Sequence, residues 1–472
     1  MGNSLNDRGE GKMKRKALSI IVLLIVLPMS SMFLWGTSQV KAQIYEWSEP
    51  QQLTTDPAQD QYASIMQDST GKIWLVWERA GNLLCKTSSD GGTSWSTPEI
   101  LVTDILIHVG TSLLQDSTGR IWVAWGCVRH SSMGGDIFYI TSDDGGLSWS
   151  APQQLTDYPY DDVTPSLIEV SGEVWIVFRS YGLSYNADIW YVKTNDGGAT
   201  WSTPIQLTSY SGREFTPSAM VDSTGKIWVA WCRELVSGNE NIYYKTSIDK
   251  GASWSPDQEL TTHPNDEGHP SIIEDVSGTI FVFYALDEGT VVNIYYRTTA
   301  DSGNTWSAPD LLTINTCNDG VPYAALIKNQ VWVIWQSDRS GNSDIWMSRI
   351  APIPAAIDID PDTLNLKSNG EWITAYIELP EGYDVSDIEV NSIQVNDAIP
   401  IDVEAPATVG DYDLDSVPDL MVKFDRASII ELLDANDYSE DTGKSCFATL
   451  TITGTVLDTT FEGSDTIKVL RK

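Results

Sequence analysis

The stretch Ser88-Ser89-Asp90-Gly91-Gly92-Thr93-Ser94-Trp95 decides the fold, because its pattern S/T-x-D-x-G-x-x-W returns four more times along the chain. In such a turn the aspartate carboxylate and the Ser or Thr hydroxyl bond backbone amides of their own turn, and the glycine supplies a left-handed backbone. We therefore interpret the five aspartates as structural, with a calcium site as the alternative. They are Asp90, Asp144, Asp196, Asp249 and Asp301.

Around this pattern the sequence repeats with a period of about 50 residues. Each unit holds four short strand-like runs separated by turn residues. Runs such as Ile121-Trp122-Val123-Ala124-Trp125 are apolar on both faces, as in a radial blade covered on both sides. The repeat predicts an all-β fold, a six-bladed β-propeller in which the strand after Trp47 completes the last unit. The units begin at Trp47, Trp95, Trp149, Trp201, Trp254 and Trp306.

These repeats resemble the Asp-box (BNR) repeat family of sialidases and other secreted propellers, over residues 43–352. The resemblance implies that the Asp boxes lie on the face opposite the ligand, which meets the mouth of the central channel. The family's enzymes carry an Arg-Ile-Pro motif at the start of the first inner strand. None of the corresponding stretches has arginine at the motif position. This departure from the motif puts sialidase activity in doubt. The stretches are Gln61-Tyr62-Ala63, Val163-Thr164-Pro165, Phe215-Thr216-Pro217 and Gly268-His269-Pro270.

The first 42 residues are typical of a signal peptide. Basic residues from Lys12 to Lys16 precede an apolar run from Ala17 to Leu27, and Val40-Lys41-Ala42 offers a cleavage site before Gln43. An uncleaved membrane anchor is the alternative. We expect a protein that is secreted or held at the cell surface. The expected boundaries are 1–42 for the signal peptide, 43–350 for the propeller, 351–356 for a linker and 357–472 for an acidic accessory domain.

The C-terminal segment contains strand-like runs that predict a small β-sandwich, with a short helix from Arg426 to Leu433. It resembles accessory modules of secreted archaeal and bacterial proteins. Its alternating carboxylates can converge on one calcium ion, although Ser416 replaces the glycine of an EF-hand loop and Val422 its bidentate glutamate. A calcium site and a solvated acidic turn both remain open. The carboxylates are Asp411, Asp413, Asp415 and Asp419.

The formal net charge of −36 excludes a basic nucleic-acid footprint. Five cysteines, an odd number without metal spacing, indicate buried small hydrophobes rather than a disulfide framework. Arginines nevertheless gather in the loops predicted at the channel mouth, where guanidinium forks suit a carboxylate or an anionic sugar. Pairing with Glu78, Glu234 and Asp338 on a solvated rim is the alternative. The arginines are Arg79, Arg129, Arg179, Arg213, Arg233 and Arg339.

Histidines, tyrosines and further acids share that predicted face, but the sequence assigns no catalytic residue. The pattern favours a secreted sialidase-like propeller that recognises glycans, above all anionic saccharides, at the channel mouth. An exo-glycosidase with altered catalytic residues and a protein-binding scaffold at the cell surface are the alternatives. We expect a monomer with a glycan partner and no nucleic acid, in contact with a membrane only if the N-terminal segment is retained. The acids, tyrosines and histidines are Asp161, Asp162, Glu214, Asp266, Glu267, Tyr181, Tyr185, His108, His130, His263 and His269.

Overall fold

A computed structural model describes residues 45–103, 107–128, 134–157, 161–181, 186–314, 316–367, 370–435, 445–457 and 459–470. The predicted signal peptide, residues 1–42, lies outside these described residues. Within them, no helix has the length and apolarity needed to cross a membrane. All five cysteines are described, and none of them forms a disulfide. Nearly all regular structure in the described residues is β-strand.

Between residues 45 and 350 the described strands form six antiparallel sheets of four strands each, which we call sheets A to F. The chain opens with β1 (Gln51–Gln52). Sheet A consists of β2 (Asp60–Gln67), β3 (Ile73–Arg79), β4 (Asn82–Ser88) and β5 (Glu99–Thr103). Sheet B consists of β6 (Ile107–Gln115), β7 (Ile121–Val128), β8 (Gly135–Ser142) and β9 (Gln153–Gln154). Sheet C consists of β10 (Asp162–Val170), β11 (Glu173–Tyr181), β12 (Ala187–Thr194) and β13 (Ile205–Gln206).

The remaining three sheets repeat this order. Sheet D consists of β14 (Glu214–Val221), β15 (Ile227–Glu234), β16 (Glu240–Ser247) and β17 (Gln258–Glu259). Sheet E consists of β18 (Glu267–Glu274), β19 (Ile280–Asp287), β20 (Val292–Thr299) and β21 (Asp310–Leu311). Sheet F consists of β22 (Asp319–Ile327), β23 (Gln330–Ser337), β24 (Asp344–Arg349) and the opening strand β1. The predicted completion of the last unit by the first strand is therefore confirmed, with Gln51 opposite Met347.

The first strands of the six sheets bind one another through serine side chains. At four junctions a serine hydroxyl accepts a hydrogen bond from a backbone amide of the next first strand, at 2.8–3.1 Å, while Ser64 of sheet A bonds the Thr111 hydroxyl of sheet B at 2.9 Å. In sheet F, Tyr323 takes the serine position and hydrogen-bonds to Ser112 and to the backbone of Leu113 in sheet B. Neighbouring first strands are in contact in the order β2, β6, β10, β14, β18, β22 and again β2. The donor–acceptor pairs are Leu167–Ser112, Ala219–Ser166, Ile272–Ser218 and Ala324–Ser271.

The core of this part lies between neighbouring sheets. Each pair of adjacent sheets shares one hydrophobic cluster, including the pair formed by sheets F and A. The second strands are buried on both faces, and Trp77, Trp122 and Trp228 in them are wholly inaccessible to solvent. Burial on both faces explains why these strands read as continuous apolar runs rather than as alternating patterns.

The Asp-box turns connect the third and fourth strands. In the turn of sheet A, Asp90 Oδ1 accepts hydrogen bonds from the Ser94 amide at 2.9 Å and from the Ser88 hydroxyl at 2.8 Å. The same pair of bonds recurs in the other four boxes. The box glycine Gly146 has φ +85°, and a Cβ there would overlap the ring of Trp74 in the preceding sheet. Glycine is thus required both by the backbone and by the packing of adjacent sheets.

These turns predict a specific sensitivity to acid. Hydrogen bonds from the Thr200 hydroxyl and amide, and from Thr194, lower the pKa of Asp196 to about 2. A carboxyl whose pKa is lower in the folded protein than the ordinary value of about 3.9 stabilises the fold above roughly pH 4. That contribution is lost as the pH falls through about 2. The loss of stability in Asp196→Ala, measured by urea unfolding, should therefore shrink from pH 5 to pH 2. An unchanged loss across that range would contradict the prediction, and Glu49→Ala serves as the exposed control.

Residues beyond 350 form two further sheets around one hydrophobic cluster. Sheet G consists of β25 (Ile353–Pro354), β27 (Thr363–Asn365), β29 (Gln394–Val395), β30 (Ile399–Pro400), β33 (Ser445–Val456) and β34 (Thr459–Leu470). Sheet H consists of β26 (Ala356–Asp360), β28 (Trp372–Glu378), β31 (Thr408–Gly410) and β32 (Asp419–Asp425). The predicted short helix is confirmed as α1 (Arg426–Ala435). Two 3-10 turns lie at Val385–Asp387 and Val390–Ser392.

Candidate functional site

Every first strand bends at the same place near its start. One residue there has a left-handed backbone, with φ between 44° and 68°, and the pairing with the second strand slips beside it. These bulges occupy the stretches in which the sequence comparison sought an arginine motif. We call this end of sheets A to F the bulged end; the Asp-box turns lie at the opposite end. The bulge residues are Tyr62, Gly110, Thr164, Thr216, His269 and Val321.

A carboxylate stands two residues before the bulge in five of the six sheets, and its residue is at most 2% exposed. In sheet A this is Asp60, which accepts hydrogen bonds from Trp77 Nε1 at 2.8 Å and from Arg79 Nε at 2.6 Å. The sequence predicts Asp162, Glu214 and Glu267 among the loops of the channel mouth. They are buried strand residues instead, because each lies inside the first strand of its sheet. The five acids are Asp60, Asp162, Glu214, Glu267 and Asp319.

Three of the predicted arginines form ion pairs with these buried acids. Arg79 binds Asp60, Arg233 binds Glu214 at 2.6 Å and also Asp257, and Arg339 binds Asp319 at 2.6 Å. The predicted partners Glu78 and Asp338 are therefore not the carboxylates that bind Arg79 and Arg339. The third predicted partner, Glu234, does bind an arginine.

That arginine is the exposed Arg213, at 2.7 Å from Glu234, and it also hydrogen-bonds to Tyr181. Arg129, His130 and Tyr185 lie outside the described residues. The ion pairs account for four of the five predicted arginines that the structure describes.

Arg179 differs from the other arginines because of strand register. The residue opposite the buried acid is Arg79 in sheet A and Arg233 in sheet D, but Ser180 in sheet C. Arg179 precedes this position by one residue, so its side chain projects from the opposite face of the strand. These arginines are equivalent in the sequence pattern, and strand register separates them.

Within the described part of the chain, Arg179 forms no ion pair. No hydrogen bond or ion pair joins it to another described residue, and its Nε is buried without a partner. Its guanidinium carbon lies 5.0 Å from the Tyr181 ring and 5.7 Å from the Phe215 ring, which Arg213 also approaches to 5.7 Å. Burial lowers the pKa of Arg179 from its ordinary value. A half-buried cation beside two aromatic rings is a ready anion site.

The position of Arg179 is shared by one residue from each sheet, and these six residues surround the bulged end. Among them Arg179 is the one cation, while Ala285 and the neighbouring Gly320 are small. A pocket of about 380 Å³ opens there between sheets E, F and A. We call it the bulged-end pocket; its polar lining includes Gln61, Asn318 and Gln336. The six residues are Glu78, Gly126, Arg179, Cys232, Ala285 and Gln336.

His269 connects the pocket with Arg179. It lines the pocket, and its imidazole makes no hydrogen bond to another described residue. Burial, together with the nearby charge of Arg179, lowers the pKa of His269 to about 4. The imidazole is therefore neutral at pH 7, with one nitrogen that donates and one that accepts. The pocket thus combines a neutral imidazole, carboxamides and the Asp338 carboxylate, which accepts a hydrogen bond from Asn318 at 2.8 Å. The cation Arg179 lies beyond His269, and together these groups suit a ligand with hydroxyls and one negative charge.

A second polar cluster lies in sheet H and its loops. Carboxylate oxygens of Asp411, Asp413 and Asp419 come within 4.8 Å of one another, and so do those of Asp413, Asp415 and Glu378. The sequence analysis missed Glu378, which sheet pairing brings opposite Asp419. Burial, followed by the charges of Asp415 and Asp413, raises the pKa of Glu378. Ser416 has φ +79°, the left-handed backbone that glycine supplies in an EF-hand loop.

Part of the chain matches the model of a repeat family. Residues 36–219 match the model of the BNR repeat-like domain. None of the curated proteins matches the sequence significantly. A Dyadobacter fermentans protein of unknown function is similar in structure, with 14% identity and a TM-score of 0.55 over 64% of this chain and 98% of its own.

Two enzymes are also similar in structure. A leech intramolecular trans-sialidase shares 14% identity, with a TM-score of 0.49 over 61% of this chain and 68% of its own. A Penicillium chrysogenum alpha-L-arabinanase shares 15% identity, with a TM-score of 0.48 over 62% and 93%. The family model and the Dyadobacter structure together support a fold of the BNR-repeat type for this chain.

Proposed function

We propose that this protein recognises a saccharide that carries a carboxylate, and that the saccharide binds in the bulged-end pocket beside Arg179. One observation carries the proposal: Arg179 is a half-buried guanidinium without an ion pair to any described residue, and its charge acts on His269, which lines the polar pocket. A planar guanidinium fork binds a carboxylate through two parallel hydrogen bonds. Because the protein carries a net charge of −36, an anion needs such a local cation to bind.

The proposal assumes that sheets A to F are the six blades of a propeller. Three features support this arrangement: the circular order of contacts between first strands, the six clusters between neighbouring sheets, and a central cavity of about 360 Å³ lined by all six first strands. The bulged end would then be the channel mouth of the Asp-box resemblance. We further propose secretion after cleavage before Gln43, and a C-terminal β-sandwich formed by sheets G and H.

The groups that line the pocket and the two that lie beside it, Arg179 and Phe215, have distinct parts. Arg179 orients the carboxylate, and the Phe215 ring offers an apolar face against which a sugar ring packs. Neutral His269 and the carboxamides of Gln61 and Gln336 supply donors and acceptors for sugar hydroxyls. The motif arginine of sialidases is missing from the residue before the bulge, which is Gln61, Val163, Phe215 and Gly268 in the four stretches compared, and this disfavours sialidase turnover.

A glycan array containing uronate, sialylated and neutral saccharides tests the proposal, with a fluorogenic sialoside assay beside it. We expect carboxylated saccharides to bind and the sialoside to remain uncleaved. Rapid cleavage would assign the protein to the glycoside hydrolases instead. If no saccharide binds at all, the alternative function, a protein-binding scaffold at the cell surface, is favoured instead.

We also propose that calcium binds the carboxylates of Asp411, Asp413, Asp415 and Asp419, together with Glu378. Hard cations prefer such oxygen ligands, and a ligand that binds only the folded state raises its melting temperature with concentration. Calorimetry of the full chain in millimolar calcium and in chelator should show a higher melting temperature for the transition of sheets G and H. Asp413→Asn, which belongs to both groups of three carboxylates, should remove the shift. Identical curves for the parent protein in calcium and in chelator would contradict the proposal.

A further inference from the structure

A second cavity lies at the opposite end of the molecule from the bulged-end pocket. The turn between β22 and β23 and the end of β24 form one wall, and the edge of sheet G forms the other. The cavity measures about 410 Å³, within the roughly 300–1,000 Å³ of small-ligand sites. We call it the Lys328 cleft, after the residue at its rim.

The walls of the Lys328 cleft are held together by direct bonds. Lys328 Nζ lies 2.8 Å from Asp397 Oδ2, and Gln330 Nε2 donates to Thr460 Oγ1 at 3.2 Å. Bonds on both sides keep the cavity open without a ligand, which lowers the ordering cost of binding.

The lining of the cleft is polar but electrically balanced. Two cations, Lys328 and Arg349, face two anions, Asp397 and Glu462, in a protein that is otherwise strongly acidic. Three carboxamides and four Ser or Thr hydroxyls provide most of the remaining polar surface. Charge balance disfavours an ionic ligand, and paired donors and acceptors favour a ligand rich in hydroxyl groups.

Two of these carboxamides are free to bind a ligand. Neither Asn329 nor Gln394 makes a side-chain hydrogen bond to another described residue, and they approach the cleft from opposite walls. Each carboxamide offers two donors and an acceptor with two lone pairs. We infer that the Lys328 cleft binds an uncharged saccharide, which makes it a second glycan site independent of Arg179.

The test begins with an array of uncharged hexose and pentose oligosaccharides probed with the full chain, followed by titration of the strongest one. Gln394→Ala and Asn329→Gly each remove one carboxamide and should weaken binding about tenfold, the effect of one lost hydrogen bond. Asn329 has φ +60°, so glycine preserves its turn. Gln258→Ala, which removes an exposed carboxamide from sheet D, is the matched control.

Melting curves identify any variant that fails to fold. If Gln394→Ala does not fold, Asn329→Gly alone still tests the inference, because Asn329 lies in an exposed turn. Arg179→Ala should leave binding of the uncharged oligosaccharide intact, which separates this inference from the proposed function. The inference is overturned if no uncharged saccharide binds at millimolar concentration. It is equally overturned if binding is lost in Arg179→Ala but retained in both cleft variants.

Discussion

Asp60→Asn is expected to lower the free energy of unfolding by about 3–5 kcal/mol, the cost of breaking a buried ion pair from one side. Asp60 is completely buried, and its carboxylate binds Arg79 Nε at 2.6 Å, Arg79 Nη2 at 2.8 Å and Trp77 Nε1 at 2.8 Å. An asparagine of the same shape would turn amide hydrogens toward the guanidinium. Arg79 would then keep only Asp56, which is partly exposed. Urea unfolding at pH 7.5 measures the change.

Asp162→Asn is the matched control, because Asp162 occupies the same position in sheet C without an arginine opposite. Burial raises the pKa of Asp162 to about 6. A carboxyl whose pKa is higher in the folded protein than in the unfolded chain weakens the fold as the pH rises through that interval, here from about 4 to 6. The variant should therefore equal or exceed the parent protein in stability at pH 7.5 and lose that advantage at pH 4.5. Equal losses in Asp60→Asn and Asp162→Asn at pH 7.5 would show that register does not distinguish the two sites.

The strands and turns of the six sheets could be predicted because their causes are local in the sequence. The Asp-box residues bind one another within eight positions of the sequence. The continuous apolar runs of the second strands indicate that these strands are buried on both faces. The serine bonds between first strands escaped prediction because donor and acceptor stand 53 to 55 residues apart. A local device was also missed in the turns between the first and second strands of sheets A, B and D: in sheet A, Asp68 caps its turn and accepts a bond from Trp74 Nε1 at 2.8 Å.

The candidate site was harder to predict because it depends on which face of a strand each side chain occupies. In the sequence, Arg79, Arg179 and Arg233 all follow the apolar run of a second strand. A difference of one position relative to the buried acid reverses the direction of the side chain, since the period of a strand is two residues. The offset of Arg179 can be found by counting residues. The count runs back from the serine of the first strand to its acid, and then forward along the second strand to the arginine. The neighbours of Arg179 in sheets D and E, Phe215 and His269, follow only from the packing of whole sheets.

Arg179→Lys is expected to weaken binding of a carboxylated saccharide by about 1–3 kcal/mol, the range of a hydrogen bond to a charged group. Lysine keeps the positive charge but replaces the planar fork by a single ammonium, so the two parallel bonds to a carboxylate are lost. Stability should change little, because no described residue forms an ion pair with Arg179. Isothermal titration with the strongest carboxylated saccharide from the array measures the effect.

Two other arginines sharpen the Arg179 experiment. Arg233→Lys should lower the melting temperature, since Arg233 binds Glu214 and Asp257, yet leave the affinity for the saccharide nearly unchanged. Arg213→Lys, at an exposed arginine already paired with Glu234, should affect affinity less than Arg179→Lys. If Arg233→Lys or Arg213→Lys weakened binding as much as Arg179→Lys, the anion would be held by the general charge of the bulged end. Selective loss in Arg179→Lys alone is the result required by a single guanidinium that strand register has turned toward the ligand.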